Sequence, residues 1–393
     1  MPLPRHALAT ALRLAKSFPI LALTGPRQAG KTTLARLGFG DKAYVSLEDP
    51  DEREFALTDP RNFLARFPDG AILDEVQRVP QLFSYLQGLV DTRQRMGDFI
   101  LTGSQQFSLH TGISQSLAGR VGLIQLLPFS MGELADAGKQ PQSLEAQLLT
   151  GGYPPLYDRP LMPADWFGNY VTTYLERDVR TLLAVRDLSL FQRFLKMCAA
   201  RSGQLLNLSA LATDCGISHV TAREWLTVLE ASYVIHLLRP WHTNLGKRLV
   251  KTPKLYFLDT GLLAWLLGIR HAETLSTHAQ RGALFETLIV AEFIKHAYSA
   301  GQSAELYFWR DSNGHEVDLL VPQGAHMQPV EIKSGASFAN DWLHSLNKWR
   351  TLAGDLAAPG WLIWGGTQSY TREGCELVAW QDLAARLPPS SYG

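Results

Sequence analysis

Gly30-Lys31-Thr32 places side by side the residue types that hold a polyphosphate and its metal ion. They close the stretch Gly25-Pro26-Arg27-Gln28-Ala29-Gly30-Lys31-Thr32-Thr33, which fits G-x-x-x-x-G-K-[ST] at every fixed position. In such a loop backbone N–H groups wrap the phosphates and Lys31 reaches the β and γ oxygens. The Thr32 hydroxyl is offered to Mg²⁺, and the next helix points its positive end at the anion. The two glycines permit close backbone approach and unusual φ values. The chemistry is binding of ATP with Mg²⁺. Ala71-Ile-Leu-Asp74-Glu75 supplies what hydrolysis needs. It reads as an apolar strand ending in Asp74, to hold Mg²⁺ through water, and Glu75, as base or orienting group for the attacking water. Ser104 follows the next strand and is placed as a sensor of the γ-phosphate; a turn serine capping a helix is the alternative. Arg120, in Leu117-Ala-Gly-Arg120-Val, is a candidate for stabilising transition-state charge, with a surface salt bridge as its alternative.

A second constellation lies near the C-terminus. Residues 282–295 read as a helix in which Glu286, Ile289 and Phe293 share a face. An acid on an otherwise apolar face is costly without a partner. His315-Glu316-Val317-Asp318-Leu319-Leu320-Val321 alternates, putting Asp318 opposite Val317 and Leu319. After a turn at 322–324 comes Val330-Glu331-Ile332-Lys333, with Glu331 and Lys333 on one face. Asp318 and the Glu331/Lys333 pair therefore converge on hairpin neighbours, with Glu305 and Glu316 as other possible partners of Glu286.

Strands and helices alternate around the first constellation: a helix at 6–18, strands at 20–23, 42–47, 71–73 and 98–102, and helices after the loop and at 81–90. That order predicts a parallel sheet with its ligand at the strand carboxyl ends. Helical segments from Trp166 to about Arg201 read as a lid or connector. Tyr170, Tyr174 and Leu175 are packing positions within it, and Glu176, Arg177, Asp178 and Arg180 a solvated charged face. Residues 207–238 read as a helix-turn-helix with Gly216 in the turn and core positions at Val220, Trp225, Leu226 and Leu229. Ser218, His219, Thr221, Arg223 and Glu224 are offered to a groove. No acid occurs between Glu230 and Asp259, while Arg239, Lys247, Arg248, Lys251 and Lys254 do. Such a cationic arm suits phosphate contact, making DNA a partner.

The motifs GPRQAGKTTL, ILDEVQ, ILTGSQQF, SLAGRV, LLPFSMGEL and GGYPP resemble those of an ATPase family of bacteria and archaea. That family belongs to the AAA-like branch of P-loop proteins and carries a C-terminal domain of formerly unknown function (the AAA_14/DUF4143 type). The resemblance supports Ser104 as sensor and Arg120 as arginine finger, the latter in trans only in a homo-oligomer. The second constellation resembles the PD-(D/E)xK nuclease core, which implies metal ligation by Glu286, Asp318 and Glu331 and a catalytic Lys333. The expected architecture is α/β. It comprises a P-loop ATPase domain (1–150), a helical lid (151–204), a winged helix-turn-helix (205–274) and a restriction-endonuclease-like domain (275–393). The reading is an ATPase whose cycle controls DNA binding and a metal-dependent nuclease-like domain; its rival is a regulatory ATPase, directed to nucleic acid or protein, with that domain inactive.

Composition narrows the class. The 393 residues hold 37 Lys+Arg and 37 Asp+Glu, so any polyanion surface is local. Apolar content of 46% and charged content of 19% describe a globular chain. Three scattered cysteines (198, 215 and 375) support neither a disulfide framework nor a zinc site, which fits a reducing cytoplasm. No apolar run approaches the roughly 18 residues of a membrane span. The basic N-terminus faintly resembles a targeting segment, but the first strand leaves no room to cleave one.

Overall fold

The computed structural model describes residues 2–104, 117–175, 187–241 and 251–387; side chains are not described at 174 and 175. Tyr174, Leu175, the charged cluster at 176–180, Lys247 and Arg248 therefore lie outside what is described.

Residues 20–125 build a five-stranded sheet. Its strands are β1 (Ile20–Thr24), β2 (Ala43–Ser46), β3 (Ala71–Asp74), β4 (Phe99–Gly103) and β5 (Val121–Gln125), in spatial order β2-β3-β4-β1-β5. Every pairing is parallel. Strands covered on both faces must be apolar throughout, and β1, β3 and β4 are buried along their whole length. Side chains alternate between two cores. Leu21, Leu23, Ile72 and Ile100 pack with the helix Ala7–Ala15, while Ala22, Leu73 and Leu101 pack against Phe63, Phe83 and Leu86 on the other face. Register aligns the carboxyl ends, with Thr24 beside Gly103 and Ser46 beside Asp74.

The rest of the chain is organised by a second sheet of nine strands: β6 (Gln204–Leu205), β7 (Ile235–Pro240), β8 (Lys254–Phe257), β9 (Tyr307–Arg310), β10 (Glu316–Gln323), β11 (His326–Lys333), β12 (Gly360–Trp364), β13 (Tyr370–Arg372) and β14 (Cys375–Ala379). Their order is β13-β14-β12-β11-β10-β9-β7-β8-β6. Two short helices, Leu208–Cys215 and His219–Ala231, precede β7, and Gly216 joins them in the left-handed conformation a tight turn requires. The ribbon β6-β8-β7 does not stand apart. Its strand β7 pairs with β9, Arg239 opposite Tyr307 and Pro240 opposite Phe308. The long helix Arg281–Ser299 covers the sheet, and one apolar core runs from Leu127 through Leu383.

Two local expectations change. Val220 is 65% exposed, because the buried stripe of its helix is Ala222, Trp225, Leu226 and Leu229, spaced i, i+3, i+4, i+7. Strand β10 shifts register against β9 between Val317 and Leu320. Val317 consequently packs with Leu320 and Trp309, whereas Leu319 faces the core of the long helix. These two apolar residues do not share a face, as a bulge's extra residue dictates. No helix among the described residues is long and apolar enough to cross a membrane.

Candidate functional site

At the start of the loop after β1, Gly25 has no room for a side chain. A Cβ at Gly25 would stand 2.0 Å from the Leu126 carbonyl oxygen, and Gly25 and Gly30 hold φ of 147° and 91°. The helix Lys31–Gly38 begins at once, so its free N–H groups face the loop. The Lys31 ammonium is folded over the loop and donates to the carbonyls of Gly25 (3.0 Å) and Pro26 (2.8 Å). Thr32 Oγ1 donates to Asp74 Oδ1 at 2.9 Å, bringing together the two residues picked as metal-binding in this half of the chain.

Sequence reasoning missed what holds Asp74. Thr102 also donates to Oδ1, and the Tyr44 hydroxyl donates to Oδ2 at 2.8 Å. Burial, then the hydrogen bond and charge of Asp74, push the Tyr44 phenol up to about 12, so it stays a donor. Glu75 sits in the left-handed region at φ 56°, an arrangement costing about 1 kcal/mol that positions its side chain. Its N–H donates to Thr102 Oγ1 (3.2 Å), and its Oε2 accepts from Gln77 Nε2 (2.6 Å) and Ser104 Oγ (3.1 Å). Ser104 thus reaches the site as a partner of Glu75. A sequence signal existed for Gln77, two residues beyond the acid, but none for Tyr44 or Thr102, which come from neighbouring strands.

Arg120 is not brought to the loop of its own chain and instead forms the salt bridge that is its alternative reading. It immediately precedes β5 and accepts at its carbonyl from Ile20, the first residue of β1. It therefore stands at the amino end of a parallel sheet, roughly 16 Å of strand from the carboxyl end where the loop begins. Its guanidinium is bidentate on Asp91, at 2.6 and 2.8 Å. Besides Arg27 within the loop, Arg5 reaches it from outside. It donates to Ala29 O (2.6 Å), Leu127 O (2.6 Å) and Glu133 Oε1 (3.0 Å), its guanidinium 4.8 Å from the centre of the Phe129 ring. Glu133 belongs to a capping box with Ser130, which gives the stretch LLPFSMGEL a physical role. Tyr233, between the second short helix and β7, places its hydroxyl 2.7 Å from Thr24 Oγ1 at the end of β1.

The C-terminal residues also meet. Ile332 N–H donates to Asp318 Oδ2 (2.8 Å), Lys333 donates to Glu331 Oε1 (2.6 Å), and Glu331 Oε2 is buried without a hydrogen-bond partner among the described residues. Glu286 Oε1 accepts from Tyr256 OH (2.5 Å) and from Lys254 Nζ (3.1 Å). Lys254 also pairs with Glu316 Oε1 and stands 3.9 Å from Asp318 Oδ1. This corrects its assignment to a solvent-facing cationic arm, for its side chain is 3% exposed. Glu305 is exposed and takes no part. Burial, then the charges of Glu331 and Glu286, drive Asp318 well above the usual carboxylate range; burial likewise raises Glu331. Burial opposes charge on Lys254, yet Tyr256 and the acids around it hold its affinity for the proton well above the usual lysine range.

Residues 17–135 match the AAA domain family, 141–273 a domain of unknown function (DUF8612), and 281–383 a second domain of unknown function (DUF4143). Two uncharacterized proteins, Rv2008c of Mycobacterium tuberculosis and Mb2031c of Mycobacterium bovis, are each 35% identical over 333 residues. The match covers 84% of this chain and 73% of theirs. The chain belongs to the family of these two proteins, and its residues 17–135 carry an AAA domain. Among solved structures, the Walker-type ATPase PABY2304 of Pyrococcus abyssi shares 15% identity at a TM-score of 0.45, covering 68% of this chain and 98% of that one. AMPPCP-bound DnaA of Aquifex aeolicus shares 16% at a TM-score of 0.29, covering 57% and 85%. Within the AAA-domain protein, the matched residues 17–135 enclose the loop, Asp74, Glu75 and Ser104, whereas Arg5 lies outside them.

Proposed function

We propose that this AAA-domain protein binds ATP with Mg²⁺ at residues 25–33 and hydrolyses it, and that the cycle sets the posture of a DNA-contacting helix pair and a nuclease-like C-terminal domain. The reading rests on the meeting of Thr32 with Asp74, beside Lys31 and Glu75, at the carboxyl ends of one parallel sheet. The Thr32 hydroxyl and Asp74 carboxylate are hard oxygen donors side by side and fit Mg²⁺, which when bound neutralises charge on the β and γ phosphates. Lys31 exchanges its hold on Gly25 and Pro26 for phosphate oxygens. Glu75, with Oε2 fixed by Gln77 and Ser104, keeps Oε1 for the attacking water. Water adds to the γ-phosphorus as the bond to the β–γ bridging oxygen breaks, releasing ADP and phosphate. Nucleotide titration of wild type, Lys31→Ala and Glu75→Gln tests this. Binding lost in the first and retained without turnover in the second is the expected pattern; unchanged affinity in Lys31→Ala refutes the site.

DNA contact is supported by the outward face of helix His219–Ala231, where His219, Val220 and Arg223 are exposed. Glu224 shares that exposure and opposes it. The gathering of Glu286, Asp318, Glu331 and Lys333 supports a nuclease-like lineage, with metal-dependent cleavage the activity it would carry. One observation favours the second reading, a regulatory ATPase whose C-terminal domain does not cut. Lys254 fills the cluster from β8, which β9 and β7 separate from β10, and a divalent cation does not fit beside it. Plasmid and single-stranded DNA incubated with Mn²⁺, with and without ATP, separate the two readings. Cleavage lost in Lys333→Ala supports a working nuclease, and intact DNA with continuing ATP turnover supports the regulator.

A further inference from the structure

In the C-terminal cluster nearly every carboxylate oxygen is already claimed. Lys254 takes Glu286 Oε1 and Glu316 Oε1 and lies 3.9 Å from Asp318 Oδ1. Arg310 takes Glu316 Oε2 at 2.9 Å, Lys333 takes Glu331 Oε1, and the Ile332 N–H takes Asp318 Oδ2. Oxygens of three residues from two elements, Glu286 of the long helix and Glu316 and Asp318 of β10, converge on one nitrogen. Convergence of hard oxygens on a point charge is what a divalent cation demands, and an ammonium is a compact point charge of half that value. Four carboxylates against Lys254, Lys333 and Arg310 leave a formal charge of −1; without Lys254 it is −2, the complement of one divalent ion. Glu331 Oε2, buried and without a hydrogen-bond partner among the described residues, is a ligand oxygen that the three cations leave over.

Lys254 is firmly held. It opens β8, paired with Leu238 of β7 and Leu205 of β6, and its ammonium lies 5.6 Å from the centre of the Phe308 ring. It belongs to the segment matching DUF8612, whereas all four acids belong to the segment matching DUF4143. One sequence unit thus supplies the counter-ion for the other.

We infer that Lys254 is the resident cation of this cluster, occupying a latent divalent-cation site that opens when its charge is removed. The inference deepens the nuclease-like reading of the domain and rests on it. In the wild-type protein the consequence is a carboxylate cluster that takes up no divalent metal and leaves phosphodiesters intact.

The test is Mn²⁺ binding to the full-length, nucleotide-free protein, followed by electron paramagnetic resonance and by the melting temperature. Wild type is compared with Lys254→Met, which keeps an apolar stem of similar length, and with Lys254→Met/Asp318→Asn. Removing one close positive charge is expected to tighten Mn²⁺ binding by at least about tenfold over wild type. Mn²⁺ should also raise the melting temperature of Lys254→Met, and both effects should vanish in the double variant. Unbound carboxylates destabilise Lys254→Met, so recovery of its fold on adding Mn²⁺ is a supporting result if the metal-free form unfolds. The inference is overturned if wild type holds Mn²⁺ in a manner that Asp318→Asn abolishes, or if Lys254→Met neither binds Mn²⁺ nor is stabilised by it. Failure of the nuclease-like reading looks different: Lys254→Met binds Mn²⁺ through Asp318 but cleaves no DNA. The double variant keeps Thr32 and Asp74 unchanged, so any Mn²⁺ held at the P-loop persists in it and is told apart from Mn²⁺ held at Asp318.

Discussion

Replacing Arg5 with alanine is expected to cost about 3–4 kcal/mol, more than most single substitutions, although the residue lies in no motif. The side chain is 6% exposed and spans three acceptors: the carbonyls of Ala29 and Leu127 and the Glu133 carboxylate. Each buried acceptor stranded without a donor costs about 1–3 kcal/mol. The two carbonyls therefore contribute roughly 2–6 kcal/mol, towards the lower end where water enters the space vacated. Glu133 loses less, since the N–H groups of His6 and Ser130 still hold it at 2.8 and 3.0 Å. Arg5→Lys should recover about half of the loss, because an ammonium reaches one carbonyl but cannot span both. Denaturant unfolding gives the stability. Titration with a fluorescent ATP analogue gives the second readout, which should weaken about tenfold as the loop at Ala29 loosens. A cycle combining Arg5→Ala with Glu133→Gln should show a coupling of about 1–2 kcal/mol. A loss below about 1 kcal/mol in Arg5→Ala, with unchanged nucleotide affinity, would refute the reasoning that this contact carries weight.

Three further outcomes follow from the same geometry. Gln77→Ala should leave ATP affinity near wild type and lower turnover by about 10-fold or more, because Glu75 loses its 2.6 Å partner; an unchanged rate in single-turnover kinetics would count against that role. His236 is half-buried in β7, and burial, aided by Arg239, lowers it from 6.5 to about 4. A base depressed on folding adds stability above its unfolded value that disappears as pH falls, so the loss runs from about pH 6.5 to 4 and His236→Gln should flatten it. Arg223→Ala should weaken DNA binding evenly across sequences and reduce the salt slope by about one, which an affinity series in KCl would measure.

The legible parts of the chain were those in which chemistry is local. Residues 25–33 form one continuous stretch, and Asp74 and Glu75 terminate a strand whose apolar run announces it, so order along the chain is order in the candidate site. Arg120 misled because nearness to a strand says nothing about which end the ligand occupies; a parallel sheet puts the start of every strand on the far side. Tyr44, Thr102 and Arg5 carried no pattern, since each reaches the site across the sheet or from an isolated position. Lys254 was legible only as a charge in an acid-free stretch, the signature of a solvated arm, while its three acidic partners lay between residues 286 and 318. Alternation alone also hid the register shift in β10, because one extra residue moves side chains between faces without altering the pattern's composition.

The pairing of β7 with β9 alters what counts as a module here. The boundary between the two family matches, residues 274–280, falls between strands that share backbone hydrogen bonds. Severing the chain there would leave each fragment with a raw sheet edge, and the later fragment with a carboxylate cluster stripped of Lys254. Recurrence of the DUF4143 segment in another protein would therefore require some other strand to close β9 and some other cation to neutralise the acids. The unit that evolution can copy in sequence is smaller than the unit that can fold.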